Sequence, residues 1–196
     1  MNRRQALQFA AVLLGGAVSP GLLRATAADA VSARSDVDFF SPRQRQQLAL
    51  LAELIIPETD TPGAIEAGVP AFIETMVAQW YNDTERAIFL GGLEQLDRHC
   101  EKTYQCSLQS CDRGQQVAAL QHFERLAQSY VGASSPFSPQ GDEQAPFFSK
   151  LKELTVLGYF TSEVGIKQAL AYNPMPMRYR GDIALAEVDG KQWAQY

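Results

Sequence analysis

The side chains of this sequence whose type and spacing could do chemistry are the histidines His99 and His122, the cysteines Cys100, Cys106 and Cys111, and the carboxylates Glu58, Asp60 and Glu66, crowded into one short stretch. Two histidines cannot complete a catalytic zinc site, which needs three protein ligands, and the H-E-x-x-H spacing is absent. They read as helix-surface residues without a ligand role. The acidic stretch could do acid-base or metal work, yet such a loop is more often solvated or caps neighbouring helices. No cysteine pair has the C-x-x-C spacing of a thiol-redox site, and no C-x-x-C-H holds a haem. Cys106 and Cys111 flank a serine-rich connection and could close a small loop, leaving Cys100 free or bonded to a partner chain. On an apolar stripe, Cys100 reads equally well as a small buried hydrophobe. The G-x-G-x-x-G turn of a dinucleotide or flavin site is missing, as is the strand that would precede it. No residue is therefore read as catalytic, cofactor-binding or metal-binding.

The elements that would position these side chains are helices. Ser41-Pro42-Arg43-Gln44 combines an N-cap hydroxyl, a proline at the first helical position and a glutamine that reaches back; Leu48, Leu51, Ala52 and Ile55 then share a face. Pro57 ends that helix. Residues 57–68 form an irregular loop because Asp60-Thr61-Pro62-Gly63 is turn chemistry. A short helix is predicted from Pro70 to about Tyr81. The Asn82/Glu85 spacing opens a longer one carrying Ile88, Phe89, Leu93, Leu96, Cys100 and Tyr104 at three- and four-residue intervals, weakened locally by Gly91-Gly92. Asp112 and Gln115 begin another, with Val117, Leu120, Phe123, Leu126 and Tyr130 on its apolar face, to Val131.

Residues 132–146 hold too many prolines, glycines and serines for regular structure. From Phe147 the segment with Phe148, Leu151, Leu154, Val156, Leu157 and Phe160 is predicted to be a central helix reaching Val164 or beyond. Residues 173–196 have prolines and aromatics without period, and read as an extended tail that needs something to lie against. With no β alternation and no internal repeat, the fold class is all-α: a single compact helical domain with a long Pro/Gly-rich loop and an extended C-terminal tail, behind a leader.

That leader is residues 1–30. Arg3-Arg4, the apolar run from Phe9 to Val18 and small residues at 25–30 follow the order of a signal peptide, and Pro20-Gly21 interrupts the run before it could span a bilayer. The paired arginines and mild apolar region look like a twin-arginine signal, which carries folded proteins and implies the twin-arginine translocase as a partner. A periplasmic location follows for residues 31–196. Cleavage after Ala30 would remove Arg3, Arg4 and Arg24 against the single acid Asp29, making a chain of net charge −5 more acidic still. With no lysine- or arginine-rich run, nucleic acid is not an expected partner. Three cysteines are too few for a disulfide scaffold, so the core must come from packing.

The run Glu53-Leu54-Ile55-Ile56-Pro57-Glu58-Thr59-Asp60-Thr61-Pro62-Gly63-Ala64, continuing Ala67-Gly68-Val69-Pro70-Ala71-Phe72-Ile73, resembles the signature of the gluconate 2-dehydrogenase subunit 3 family. A second match runs from Leu151 to Thr155 and from Gly158 to Gly165, and a third lies at Tyr179-Arg180-Gly181. Met175-Pro176-Met177 departs from the proline-glycine turn of relatives. The resemblance implies a small subunit of membrane-associated dehydrogenases of gluconate, sugars or polyols, in which the large subunit holds FAD and a cytochrome c subunit holds haem. The small subunit would aid export, maturation or stability of the flavoprotein and carry no cofactor itself.

Two regions are candidates for the partner contact. A turn-rich loop of fixed conformation is a common recognition element, which selects Pro57, Thr59, Asp60, Thr61 and Pro62. Aromatics without a periodic core role suit an interface, which selects Tyr179, Trp193 and Tyr196, although the tail could equally pack on its own domain. The alternatives are a stand-alone periplasmic binding or scaffold protein, and an enzyme using the acidic 58–66 loop.

Overall fold

Three reciprocal capping boxes decide where helices begin. In the computed structural model, residues 39–130, 143–173 and 183–194 are described. The Ser41 N–H donates to Gln44 Oε1 at 2.8 Å while the hydroxyl of Ser41 accepts from the Gln44 N–H, opening α1 (Pro42–Ile55). Asn82 and Glu85 exchange the same bonds at 2.9 and 3.0 Å and open α3 (Asp83–Tyr104). Asp112 and Gln115, at 2.9 and 3.1 Å, open α4 (Arg113–Gln128). Each box satisfies two N–H groups that a helix start leaves without a partner. The other two helices, α2 (Val69–Gln79) and α5 (Phe147–Thr161), lack a side-chain cap; α2 follows Gly68 at φ 74° and α5 follows Pro146.

The helix α5 packs against all four others. Its Phe147, Phe148, Leu151, Leu154 and Tyr159 are buried, while Lys152, Glu153, Val156, Leu157 and Phe160 on the opposite side are exposed. Leu151, Leu154 and Tyr159 from it meet Leu48 and Leu51 of α1, Ile73 and Val77 of α2, Phe89, Leu93 and Leu96 of α3, and Ala119 and Leu120 of α4 in one core. Phe89 is the aromatic hub, edge-on to Phe40, Tyr81 and Phe147. The sequence expectation that Gly91-Gly92 weakens α3 meets a reason for its presence: a Cβ at Gly92 would lie 2.1 Å from the Phe147 side chain, so only glycine lets α5 approach this closely. One buried ion pair crosses the same seam. Lys150, 4% exposed, meets Glu85 Oε1 at 3.1 Å and covers the Tyr81 ring, while the other Glu85 oxygen closes the α3 capping box.

Among the described residues there is no strand, only an isolated bridge between Ala171 and Trp193, so the fold is all-α. Four boundaries differ from expectation. The helix α2 starts at Val69, because residues 64–67 already turn helically and the Ala67 N–H donates to Gly63 O at 3.1 Å. The helix α4 ends at Gln128 rather than Val131. The helix α5 ends at Thr161, where Ser162 leaves helical geometry and its hydroxyl accepts from the Gly165 N–H at 2.9 Å; helical backbone resumes at 163–164, as far as expected, and runs into a π-helical turn, Gly165–Ala169. The tail is not wholly extended, for Leu185–Val188 is a 3-10 turn, and Ala171 pairs with the chain around Trp193. The leader at 1–30, most of the 132–146 stretch, Met175-Pro176-Met177, Tyr179 and Tyr196 lie outside the described residues. Among the described residues no helix is long and apolar enough to cross a membrane.

Candidate functional site

The loop after α1 is built from inside. Glu53, in the last turn of that helix, accepts the Glu58 N–H on one carboxylate oxygen and the Ile65 N–H on the other, each at 3.0 Å. One charged group thus joins the two ends of the loop, and charge-assisted bonds of this kind are about twice as strong as neutral ones. Gly63 passes so close above it that a Cβ there would fall 2.2 Å from Glu53 Oε1. The Ala64 N–H donates to Ile56 O at 2.9 Å, and the hydroxyl of Tyr159 on α5, 2% exposed, donates to Pro62 O at 2.7 Å. The geometry of the loop is therefore set by the core beneath it.

What the loop presents follows from those anchors. Glu58, Thr59 and Asp60 form an exposed tip, internally held by the Thr59 hydroxyl on Asp60 at 3.0 Å and the Thr59 N–H on Thr61 O at 3.0 Å. Pro57 and Thr61 are half-buried at its base, and Ile65 and Glu66 are exposed beyond it. Pro62 is a correction: it is buried, with its carbonyl turned to Tyr159, so it supports the loop and offers no side chain to a partner. Glu58, Asp60 and Glu66 stand at the surface, and among the described residues no group of three or more His, Cys, Asp or Glu is gathered where it could hold a metal ion. Glu53 and Tyr159 were not singled out from sequence. The signal for Glu53 was its place one turn before a proline-interrupted loop with free N–H groups; for Tyr159 there was none, since its partner is far away in the chain.

The remaining candidates lie elsewhere. Cys106 and Cys111 are joined, with sulfurs 1.99 Å apart, and their loop is held independently by Gln116, whose amide donates to Leu108 O and Cys111 O at 3.0 Å each. Asp97 accepts the Leu108 N–H at 2.9 Å and pairs with Arg43 of α1. Cys100 is fully buried and burial pushes its thiol up to about 11, so it packs as a core hydrophobe with little thiolate character. His99 and His122 are half-buried and stacked on each other between α3 and α4. Trp193, 39% exposed, borders a cleft of about 350 Å³ with Tyr172, and the backbone on either side of it pairs with Ala171, so this residue is fastened to its own chain yet partly open. On α5, Val156, Leu157 and Phe160 form an uncovered apolar face.

Comparison with curated proteins and with solved structures returned no match. The family model described as gluconate 2-dehydrogenase subunit 3 matches residues 42–177, a span that runs from the first turn of α1 past the π-helical turn and takes in the Glu53-anchored loop and α5 with Tyr159. With more than half of its length matched, the chain belongs to the gluconate 2-dehydrogenase subunit 3 family.

Proposed function

We propose that this chain is the non-catalytic small subunit of a periplasmic, FAD-dependent gluconate or sugar dehydrogenase complex, and that it assists the export, maturation or stability of the flavoprotein subunit. The observation that carries this reading is the construction of the 57–68 loop. Its carboxylate of greatest structural consequence, Glu53, is consumed by the loop's own N–H groups, and Tyr159 by Pro62, which leaves a pre-shaped tip of Glu58, Thr59 and Asp60 facing outward. A loop fixed before contact loses little conformational freedom on binding, which is an advantage for recognition. FAD and haem c belong to the partner subunits in this reading, and the twin-arginine leader moves the pair through the translocase together.

Co-expression with a tagged flavoprotein subunit tests it. The small chain is expected to co-purify, and Asp60→Arg, which removes the acceptor of the Thr59 hydroxyl at the tip but leaves Glu53 and Tyr159 in place, is expected to lower recovery at least about tenfold, as loss of one good interface residue does. An isolated, processed chain that carries flavin or oxidises a sugar unaided would overturn the proposal.

A further inference from the structure

His99 on α3 and His122 on α4 are the two histidines of the sequence, and the fold lays one on the other, ring centroids 4.4 Å apart and planes within 6°. Tyr104 stands edge-on to His99 at 6.4 Å, and Phe123 edge-on to both rings at 6.0 and 5.7 Å. Neither imidazole is hydrogen-bonded to another described residue. The charges around the stack do not favour a second proton. On α3, Lys102 lies one turn beyond His99; Glu101 and Arg98 neighbour it in sequence, and Arg98 is turned back to Glu94 O at 3.4 Å. On α4, Arg125 lies one turn beyond His122, while Glu124 is committed to Lys152 of α5 at 3.0 Å. Burial holds His99 below the ordinary histidine range, and His122 and Lys102 push it the same way.

Two neutral imidazoles stack as aromatic rings do, and a single proton is tolerated as a cation over a neighbouring ring. Two protons place like charges face to face in a partly desolvated seam, where they repel more than they would in open water. We propose that the His99–His122 stack is an acid-sensitive joint, holding α3 against α4 while the pair carries at most one proton and loosening that seam when both rings are charged. The consequence reaches further than the pair. Phe123 is also a wall of an apolar groove of about 500 Å³ between α3, α4 and the start of α5, shared with Ile88, Gly91, Gly92, Leu126 and Phe147. Phe123 and Phe147 are 6.5 Å apart edge-on, so a shift of α4 at the stack changes the groove.

With the folded value of His99 lowered, the unfolded chain takes up a proton more readily, so the stabilising effect is complete above the ordinary histidine value of about 6.5 and is lost as pH falls through the folded value. The test uses the full, untagged chain, whose two histidines give two separable imidazole signals in an NMR titration, together with amide exchange along α4. In His122→Gln the His99 midpoint is expected to rise toward the ordinary value. The α4 amides are expected to lose protection at least about tenfold more between pH 7 and 5 in the wild type than in the variant. Should His122→Gln fail to fold, His99→Gln reads the same coupling from the other ring, because linkage between two sites is reciprocal. A His99 midpoint unmoved by His122→Gln, or equal protection of α4 at both pH values, would overturn the proposal.

Discussion

A carboxylate that accepts backbone N–H groups from both ends of a loop does the work of a staple, and its loss leaves two donors in need of a partner. Glu53 occupies that position beneath Gly63, with Glu58 and Ile65 as its two donors. Glu53→Ala is expected to destabilise the chain by about 1.5–3 kcal/mol, the range for hydrogen bonds to a charged group, whereas Glu53→Gln retains one acceptor oxygen and should cost about half as much. Urea unfolding of the three proteins checks the order, and limited proteolysis should show cleavage shifting to 57–66 in Glu53→Ala first. Tyr159→Phe isolates the second anchor. It strips a buried carbonyl at Pro62 of its donor, at an expected cost of about 1–3 kcal/mol with helical circular dichroism unchanged. Equal stability of Tyr159→Phe and wild type would mean the loop holds its form without α5.

The same redundancy operates between elements. The connection from α3 to α4 is closed by Cys106–Cys111, but Gln116 and Asp97 bond the same backbone, Leu108 is buried under it, and the Asp112/Gln115 box fixes the next helix start. A bridge across so short a loop removes little freedom from the unfolded chain, about 2 kcal/mol by loop-closure reasoning. Replacing both cysteines by serine should therefore lower the thermal midpoint by several degrees while α3 and α4 keep their helical signal. Collapse of the fold on reduction would show that the side-chain bonds depend on the bridge. Cys100, buried in α3, is expected to remain unreactive to thiol reagents in the same experiment until the chain unfolds.

At the scale of the whole molecule, one aromatic hub couples the helices. Phe89 touches Phe40 ahead of α1, Tyr81 between α2 and α3, and Phe147 at the head of α5, and is fully buried. Phe89→Ala is expected to cost about 3–5 kcal/mol, and calorimetry should show all five helices melting together at a lower temperature rather than one melting alone. Much of this architecture was legible in the chain. Three helix starts could be read from Ser41/Gln44, Asn82/Glu85 and Asp112/Gln115 because a capping box is local: its donors and acceptors lie three residues apart, and no distant contact is needed to complete it. Four of the helical stretches followed from apolar spacing for the same reason, and the family could be read from the 53–73 run. Other features waited for the tertiary structure. That Pro62 faces inward, that Glu53 and Tyr159 rather than Glu58, Asp60 and Glu66 govern the loop, that Ser162 stops α5, and that two histidines 23 positions apart stack ring on ring all depend on which surfaces meet when helices pack. Local hydrogen bonding and periodicity are written in neighbouring residues; burial and long-range pairing exist only once the buried face of α5 has packed against the other four helices.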